Sequence, residues 1–345
     1  MGIIGRHSFE LCSRPRIISS ASYVGDKEGK GPLRECFDKI CRDDTLGLDS
    51  WEQADSRMFE SAVRVALAKI KRQSDDLSCL LGGDLLNQII SSGFAAREIR
   101  APFIGLYGAC STISEGLMLG GMLVDGGFAE LAACAASSHF SAAERQFRYP
   151  LEMGVQAVPS SQRTVTGAGS IIIQAAGEFR PGAGNVFEHV ALTGGTIGSV
   201  EDFGITDANN MGAAMAPAAF KTIKTHLSDY SRRVEDYDRI ITGDLGIFGS
   251  DMLYELLRGE GIEIADRHED CGKLMFSPEQ NVNCGASGCG CAATVMSSWF
   301  LPKIESGEIR RVLFLATGAL MSPVSSLQGE SIPSIAHAVV IEHID

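Results

Sequence analysis

The 345-residue sequence has few basic residues, no long apolar run and no secretion signal, and each of these absences excludes a class of protein. Lys and Arg total 30 against 43 Asp and Glu, so the net charge of -13 repels nucleic acid and anionic lipid, and no Lys/Arg run provides a local basic patch. The longest uncharged stretch, Gln280 to Pro302, is too polar for a membrane span. The N-terminus has neither an apolar core nor a small-residue cleavage site. We therefore expect a cytoplasmic start, no transmembrane helix and no nucleic-acid partner.

Motifs for metals and nucleotides are missing as well. The ten cysteines form no CxxC, and the seven histidines form no HExxH, so we expect reduced thiols and no metal. There is no GxxxxGK[ST] loop and no GxGxxG after a strand, so we expect no nucleotide and no other cofactor. With 45% hydrophobic and 21% charged residues, the sequence is otherwise typical of a globular protein with a large core.

What is present is an internal repeat with an offset of 160 residues. Gly83-Asp84-Leu85 follows a helical pattern and a short strand, and Gly243-Asp244-Leu245 follows the same two elements. A strand, a small-residue turn, a helix and another strand come next over residues 103–135, and a turn, a helix and a strand recur over 283–316. Both series end in a β-branched run. The chain is therefore predicted to consist of two homologous halves.

Strands that alternate with helices predict mostly parallel sheets covered by helices on both faces. We place the N-terminal half at residues 1–180 and the C-terminal half at 181–345. An insertion at about 25–50 is predicted to be a surface excursion or an interface element.

Cys110 has the surroundings of a nucleophile elbow. It follows a predicted buried strand, Phe103 to Tyr107, and begins a helix among small neighbours. Backbone amides and the positive end of a helix lower a thiol pKa and attract anions. A buried structural cysteine fits the same pattern, and both interpretations stay open. Because ligands collect beyond the carboxyl ends of strands, we expect Cys110, Asp84, Asp244 and the Asn283 turn to face one shared cavity.

Five blocks of sequence carry a more specific signal when they are taken together. They are GLYGACST (105–112), SSH (137–139), TVTGAG (164–169), DANNMGAAMAP (207–217) and NCGASG (283–288). In this combination the chain resembles the thiolase superfamily, in particular ketoacyl synthase III and thiolases, and more closely the stage V sporulation protein AD family. The resemblance extends over about Tyr23 to Glu342.

The resemblance implies an α/β thiolase-like fold, with two duplicated βαβαβαββ halves in five layers, and a homodimer. It also implies an active-site cysteine, Cys110, that works with a histidine and an asparagine, or two histidines, from the second half. Asn283 fits the asparagine, but Asp244 stands where a histidine is expected. Because the imidazole serves as general base and oxyanion donor, we expect no condensation chemistry, with Cys110 as a vestigial nucleophile. The alternative is an acyltransferase or condensing enzyme that forms an acyl thioester on Cys110.

For the sporulation family, the resemblance implies binding of dipicolinic acid, pyridine-2,6-dicarboxylate, for its uptake into the developing spore. It also implies membrane-bound partners from the same operon and a peripheral location at the spore inner membrane. Each carboxylate of such a dianion needs charged or amide donors. We expect the turn at Cys110 to hold one carboxylate and an arginine to hold the other. The candidate ligand-binding residues are Cys110, Ser111, Thr112, Arg163, Asn209, Asp244 and Asn283, with Arg148 as the second arginine and His139 as a further pocket group.

Purely structural roles for the arginines, Asn209 and His139 stay open beside the functional ones. Either arginine also fits a solvated surface charge, and the helix after Asn209 also fits core packing. His139 is equally compatible with a structural role.

Overall fold

The computed structural model describes residues 2–147 and 158–345. Arg148 lies outside these residues. The strands are β1 (Gly2–Ile4), β2 (Ser8–Glu10), β3 (Arg16–Val24), β4 (Lys39–Ile40), β5 (Cys79–Gly83), β6 (Phe103–Gly105), β7 (Leu131–Ser138), β8 (Arg163–Thr164), β9 (Gly167–Gln174), β10 (Val190–Thr196), β11 (Arg239–Thr242), β12 (His268–Asp270), β13 (Ala286–Ser287), β14 (Arg311–Ala319) and β15 (Ser334–His343). The helices are α1 (Trp51–Lys69), α2 (Ile90–Ile99), α3 (Thr112–Asp125), α4 (Phe140–Phe147), α5 (Met211–Asp229), α6 (Gly246–Arg258), α7 (Cys271–Met275), α8 (Cys289–Val295), α9 (Leu301–Glu305) and α10 (Pro323–Leu327). A π-helical turn, Met296–Phe300, joins α8 to α9.

The strand order is the same in the two halves of the molecule. In the first half it is β3-β9-β7-β5-β6, and in the second it is β10-β15-β14-β11-β12. In each half the last three strands of that order pair in parallel. The first strand pairs antiparallel with the second, and the second pairs antiparallel with the third. This repeated order gives the βαβαβαββ topology twice, as the repeat in the sequence predicts.

The helices form three layers around these two sheets. Helix α1 packs on β3, β7 and β9, and α5 packs on β14 and β15, so both cover outer faces. Helices α3 and α8 lie between the sheets, because α3 contacts β7, β14 and β15 while α8 contacts β7, β9 and β3. The sheets and helices of the described residues therefore form the five layers predicted from the sequence.

The central layer explains why its helices are rich in small residues. A Cβ atom on Gly169 of β9 would lie 2.3 Å from the carbonyl oxygen of Ala293, and one on Gly290 of α8 would lie 2.3 Å from that of Gly167. The backbones of α8 and β9 are therefore in direct contact. The largest apolar cluster of the described residues surrounds this layer and includes side chains from both halves.

Two expectations about the first half need correction. The segment from Phe103 is not a buried strand, because β6 is the outermost strand of its sheet and Ile104 is 41% exposed. The insertion is not a simple surface excursion, because β4 pairs with β3 and both Leu33 and Phe37 join the main core. Among the helices that the structure describes, none is long and apolar enough to cross a membrane.

Candidate functional site

Cys110 lies at a tight elbow between β6 and α3. Ala109 has a φ of 50°, in the left-handed region that side chains other than glycine rarely adopt, and a short 3-10 turn leads from it into α3. The neighbours are small because β14 of the other half passes close by: a Cβ on Gly318 would lie 2.2 Å from the carbonyl oxygen of Gly108. The elbow geometry predicted from the sequence is therefore present.

A buried carboxylate, Asp244, lies beside this thiol. Its side chain accepts hydrogen bonds from the hydroxyls of Ser287 (2.8 Å) and Thr317 (3.0 Å) and from the backbone N–H of Gly288 (2.9 Å). The Ser287 hydroxyl also lies 4.0 Å from the Cys110 sulfur. Since that hydroxyl gives its proton to Asp244, only the thiol can donate between Cys110 and Ser287, and the thiol also interacts with the charge of Asp244.

The proton of Cys110 stays on sulfur in this environment. Burial, followed by the charge of Asp244, raises the pKa of the Cys110 thiol well above its usual range. Burial raises the pKa of Asp244 only to about 6, because the Cys110 thiol, Gly288 and Ser287 stabilise its charged form. Because the thiol keeps its proton to a pH well above the one at which Asp244 ionises, proton transfer from Cys110 to Asp244 is unfavourable. The site holds a neutral thiol and an ionised acid.

A cavity of about 290 Å³ opens above Cys110 and is lined by both halves. Its apolar walls include Leu85, Tyr107, Met211, Met215 and Leu320. Ser287, Thr164 and Gln162 add polar groups, and Glu144 adds a carboxyl. Within residues 2–147 and 158–345, no Lys, Arg or His side chain lines this cavity. Among the described residues, the cavity therefore has neither the imidazole of a condensing enzyme nor a cation for an anionic ligand.

Ser111, Thr112 and Asn283 do not reach this cavity. Ser111 and Thr112 are fully buried, and their hydroxyls donate to the carbonyl oxygens of Gly108 and Ala109 at 2.7 Å. Asn283 is exposed, donates to the carbonyl oxygen of Val158 (2.9 Å) and lines two neighbouring cavities. The expectation that these three side chains line the cavity of Cys110 is thus corrected.

Ser287 is the residue that reaches Cys110 from the second half, and sequence reasoning missed it. Cys110 lies two positions before α3, and Ser287 lies two positions before α8. The internal repeat therefore contained the signal that equates these two residues, and the more conspicuous Asn283 obscured it.

Arg163 lies on the far side of a small parallel sheet. Strands β8 and β13 pair Arg163 with Ala286 and Thr164 with Ser287. Because successive side chains of a strand point to opposite faces, Thr164 and Ser287 line the Cys110 cavity while Arg163 lines the next one. The expectation that Arg163 shares the cavity of Cys110 is therefore corrected, since β8 forms the wall between the two.

The other residues predicted for the site either have structural partners or line the cavity that contains Arg163. Asp84 accepts from the backbone N–H groups of Leu86 and of Ser92, in the first turn of α2, and it does not line the Cys110 cavity. His139 is buried and bonds the carbonyl oxygen of Asp44 at 2.8 Å. Asn209 lines the cavity of Arg163.

Comparison with known proteins settles the family. The sequence model of stage V sporulation protein AD matches residues 5–342. The chain belongs to the stage V sporulation protein AD family. Stage V sporulation protein AD of Bacillus subtilis (strain 168) is 43% identical over 343 residues, which cover 99% of this chain and 98% of that protein. The resemblance seen in the sequence is confirmed.

Solved structures of condensing enzymes share the fold of this stage V sporulation protein AD family member. One is 3-oxoacyl-[acyl-carrier-protein] synthase III from Aquifex aeolicus VF5, with a TM-score of 0.58, 11% identity and coverage of 95% of this chain and 100% of that one. Another is human mitochondrial 3-ketoacyl-CoA thiolase in complex with CoA, with a TM-score of 0.59, 12% identity and coverage of 98% and 100%. At such low identity these similarities establish the thiolase-like fold alone.

Proposed function

We propose that this sporulation protein binds dipicolinic acid and does not condense acyl thioesters. The observation that carries the second part is the buried carboxylate of Asp244 close to Cys110, with the hydroxyl of Ser287 between them. The first part rests on family membership and on two adjoining cavities between the halves, of about 290 Å³ and 240 Å³.

The groups around Cys110 do not suit the chemistry of a condensing enzyme. Claisen condensation develops a carbanion and an oxyanion, and Asp244 repels both through its negative charge. The Gly288 amide could serve as an oxyanion donor, but it already donates to Asp244. Loss of one such donor alone costs about 3 to 4 kcal/mol of barrier.

Binding without turnover is the expected result for the purified protein. Calorimetry should give binding of dipicolinate at least about thirtyfold tighter than that of benzoate or pyridine-2-carboxylate, because the second carboxylate finds its own charged partner. The same samples should form no condensation product from acetyl and malonyl thioesters. Condensation that disappears in Cys110→Ala would support the acyltransferase alternative, and equal affinity for all three acids would contradict a specific dianion site.

We further propose that the protein is a homodimer that pairs through β6. This strand ends its sheet, and side chains around it are exposed apolar groups: Ile90, Phe94, Ile104 and Tyr107, with exposed fractions of 41 to 53%. An exposed apolar edge strand is a template for pairing with another chain. The matching edge strand of the second half, β12, buries His268 and Asp270 instead.

Ile104→Lys is expected to convert the dimer to monomers, because a charge on an edge strand opposes pairing. Sedimentation equilibrium measures the change in mass. Phe128→Lys provides the matched control, since Phe128 is 82% exposed but follows α3 rather than lying at the β6 edge. A monomeric parent protein, or a dimer that survives Ile104→Lys, would overturn this proposal.

From the family resemblance, we also propose that the protein binds membrane-bound partners from the same operon and lies peripherally at the spore inner membrane. Co-purification of this chain with inner-membrane fractions of developing spores would support them, and its recovery only in the unbound fraction would contradict them.

A further inference from the structure

The cavity behind β8, which we call the basic cavity, is lined by Lys27, Ser161, Gln162, Arg163, Asn209 and Asn283 and has a volume of about 240 Å³. It adjoins the Cys110 cavity, because Gln162 and Glu144 line both. Unlike that cavity, it contains two basic side chains. Its size suits a ligand smaller than a drug molecule.

Arg163 stacks on an aromatic ring, and one of its donors has no partner among the described residues. Its guanidinium carbon lies 3.7 Å from the centre of the Phe140 ring, which leaves the edge of the planar group free for a ligand. Its Nε is completely buried and has no hydrogen-bond partner among the described residues. A buried donor without a partner is costly, so a ligand that accepts from it gains affinity.

Two further groups point to an anion. Lys27 is half-buried, and among the described ion pairs neither Lys27 nor Arg163 takes part, whereas the nearby Lys30 pairs with Asp26. Burial and the positive charge of Arg163 lower the pKa of Lys27, so the two cations oppose each other. The hydroxyl of Ser161 is buried and has no partner in the part of the chain that the structure describes.

Three carboxyl groups lie near Arg163. They reduce the net positive charge of the basic cavity, but none of them pairs directly with the guanidinium. Glu28, Asp44 and Glu144 attract Arg163 electrostatically, but none forms an ion pair with it. Glu28 is buried and accepts the backbone N–H of Thr166 at 3.1 Å. Burial raises its pKa to about 7, so part of this negative charge is absent near neutral pH.

We propose that the basic cavity is the site of a small planar dicarboxylate, with one carboxylate on Arg163 and Ser161 and the other on Lys27. The side-chain amide of Asn209 lies in the same wall and can donate to either carboxylate. The charges indicate a small anion with two separate acceptor groups, and the choice of a planar dicarboxylate, dipicolinate in particular, rests on the proposed function. The ring nitrogen contributes nothing to this assignment, so isophthalate, which has the same carboxylate geometry on a benzene ring, should bind to the same residues.

Calorimetry on the full-length chain with dipicolinate, isophthalate and benzoate tests this proposal. Lys27→Met and Arg163→Met should each weaken both dicarboxylates by about thirtyfold or more, and benzoate by less. Arg163→Lys should bind the dicarboxylates more tightly than Arg163→Met but more weakly than the parent, because lysine keeps the positive charge and lacks the paired N–H donors of the guanidinium. Lys221→Met and Arg42→Met remove the same charges from exposed positions and should leave affinity unchanged.

Each outcome decides the assignment. Dipicolinate binding that both Met variants leave unchanged would overturn the basic cavity and keep the proposed function. In that case, loss of binding in Met215→Trp would place the ligand beside Cys110. Binding of isophthalate alone, dependent on Lys27 and Arg163, would support the dicarboxylate site and contradict dipicolinate as its ligand. A parent protein that binds neither dicarboxylate would overturn both the assignment of the basic cavity and the proposed function. If Arg163→Met does not fold, Lys27→Met still tests the assignment, because Lys27 is only half-buried.

Discussion

Gly169→Ala is expected to lower the free energy of unfolding by about 3 kcal/mol or more, or to prevent folding. The added Cβ would lie 2.3 Å from the carbonyl oxygen and 2.4 Å from the carbonyl carbon of Ala293. Both are backbone atoms of a buried helix between two sheets, so neither can move aside as a flexible side chain would. Overpacking in such a position costs about 1 to 3 kcal/mol, and more where backbone must shift.

Urea unfolding followed by circular dichroism measures this change. Gly93→Ala is the matched control, because Gly93 lies inside α2 and a Cβ there meets nothing within 4 Å. In a helix interior, that substitution should leave stability unchanged or raise it by up to about 1 kcal/mol. A Gly169→Ala protein as stable as the parent would show that α8 can move away from β9 at little cost.

The same contact explains why the sequence predicted the fold well. Helix periodicity, short β-branched runs and small residues at close contacts are local features, and they recur in both halves. The TVTGAG block includes Gly167 and Gly169, whose role is to let α8 approach β9. The elbow at Cys110 was predictable for the same reason, since strand, small turn and helix follow one another directly in the chain.

The contents of each cavity depend on contacts between distant segments, which the sequence does not display. Arg163 faces away from Cys110 because β8 pairs with β13, more than 120 positions further along the chain. Lys27 reaches Arg163 because the insertion folds back, with Glu28 accepting the N–H of Thr166. Nothing in the periodicity of these short segments indicates which face they present.

The second large effect expected concerns Asp55, a carboxyl on α1 that the proposed function does not use. It is 1% exposed, and neither oxygen has a hydrogen bond of ordinary geometry within the described residues. Burial, followed by the negative charge of Asp84, raises the pKa of Asp55 above its usual range, and the hydroxyls of Ser137 and Ser91 oppose this shift only in part. Asp55 is therefore neutral in the folded protein at pH values where it is ionised in the unfolded chain.

The sign of the pH dependence follows from this difference. Below about pH 4 both states are protonated, and Asp55 has no effect on stability. As the pH rises from there to the folded pKa, only the unfolded state ionises, so stability falls by about 1.4 kcal/mol for each pH unit. Asp55→Asn removes this loss, and its free energy of unfolding should exceed that of the parent by about 5 kcal/mol at pH 8 while the two proteins are similar at pH 4.

Urea unfolding of both proteins in one buffer series of constant ionic strength measures the free energy of unfolding as a function of pH. The series runs from about pH 4 to about pH 8.5, because the reference pKa and its upward shift set these limits. Asp266→Asn is the control, because it removes the same charge from an exposed position and should run parallel to the parent. Parallel curves for Asp55→Asn as well would mean that Asp55 ionises in the folded state as readily as in the unfolded chain. A water or cation would then have to compensate its charge, since the described protein groups around Asp55 offer only two hydroxyls against the like charge of Asp84.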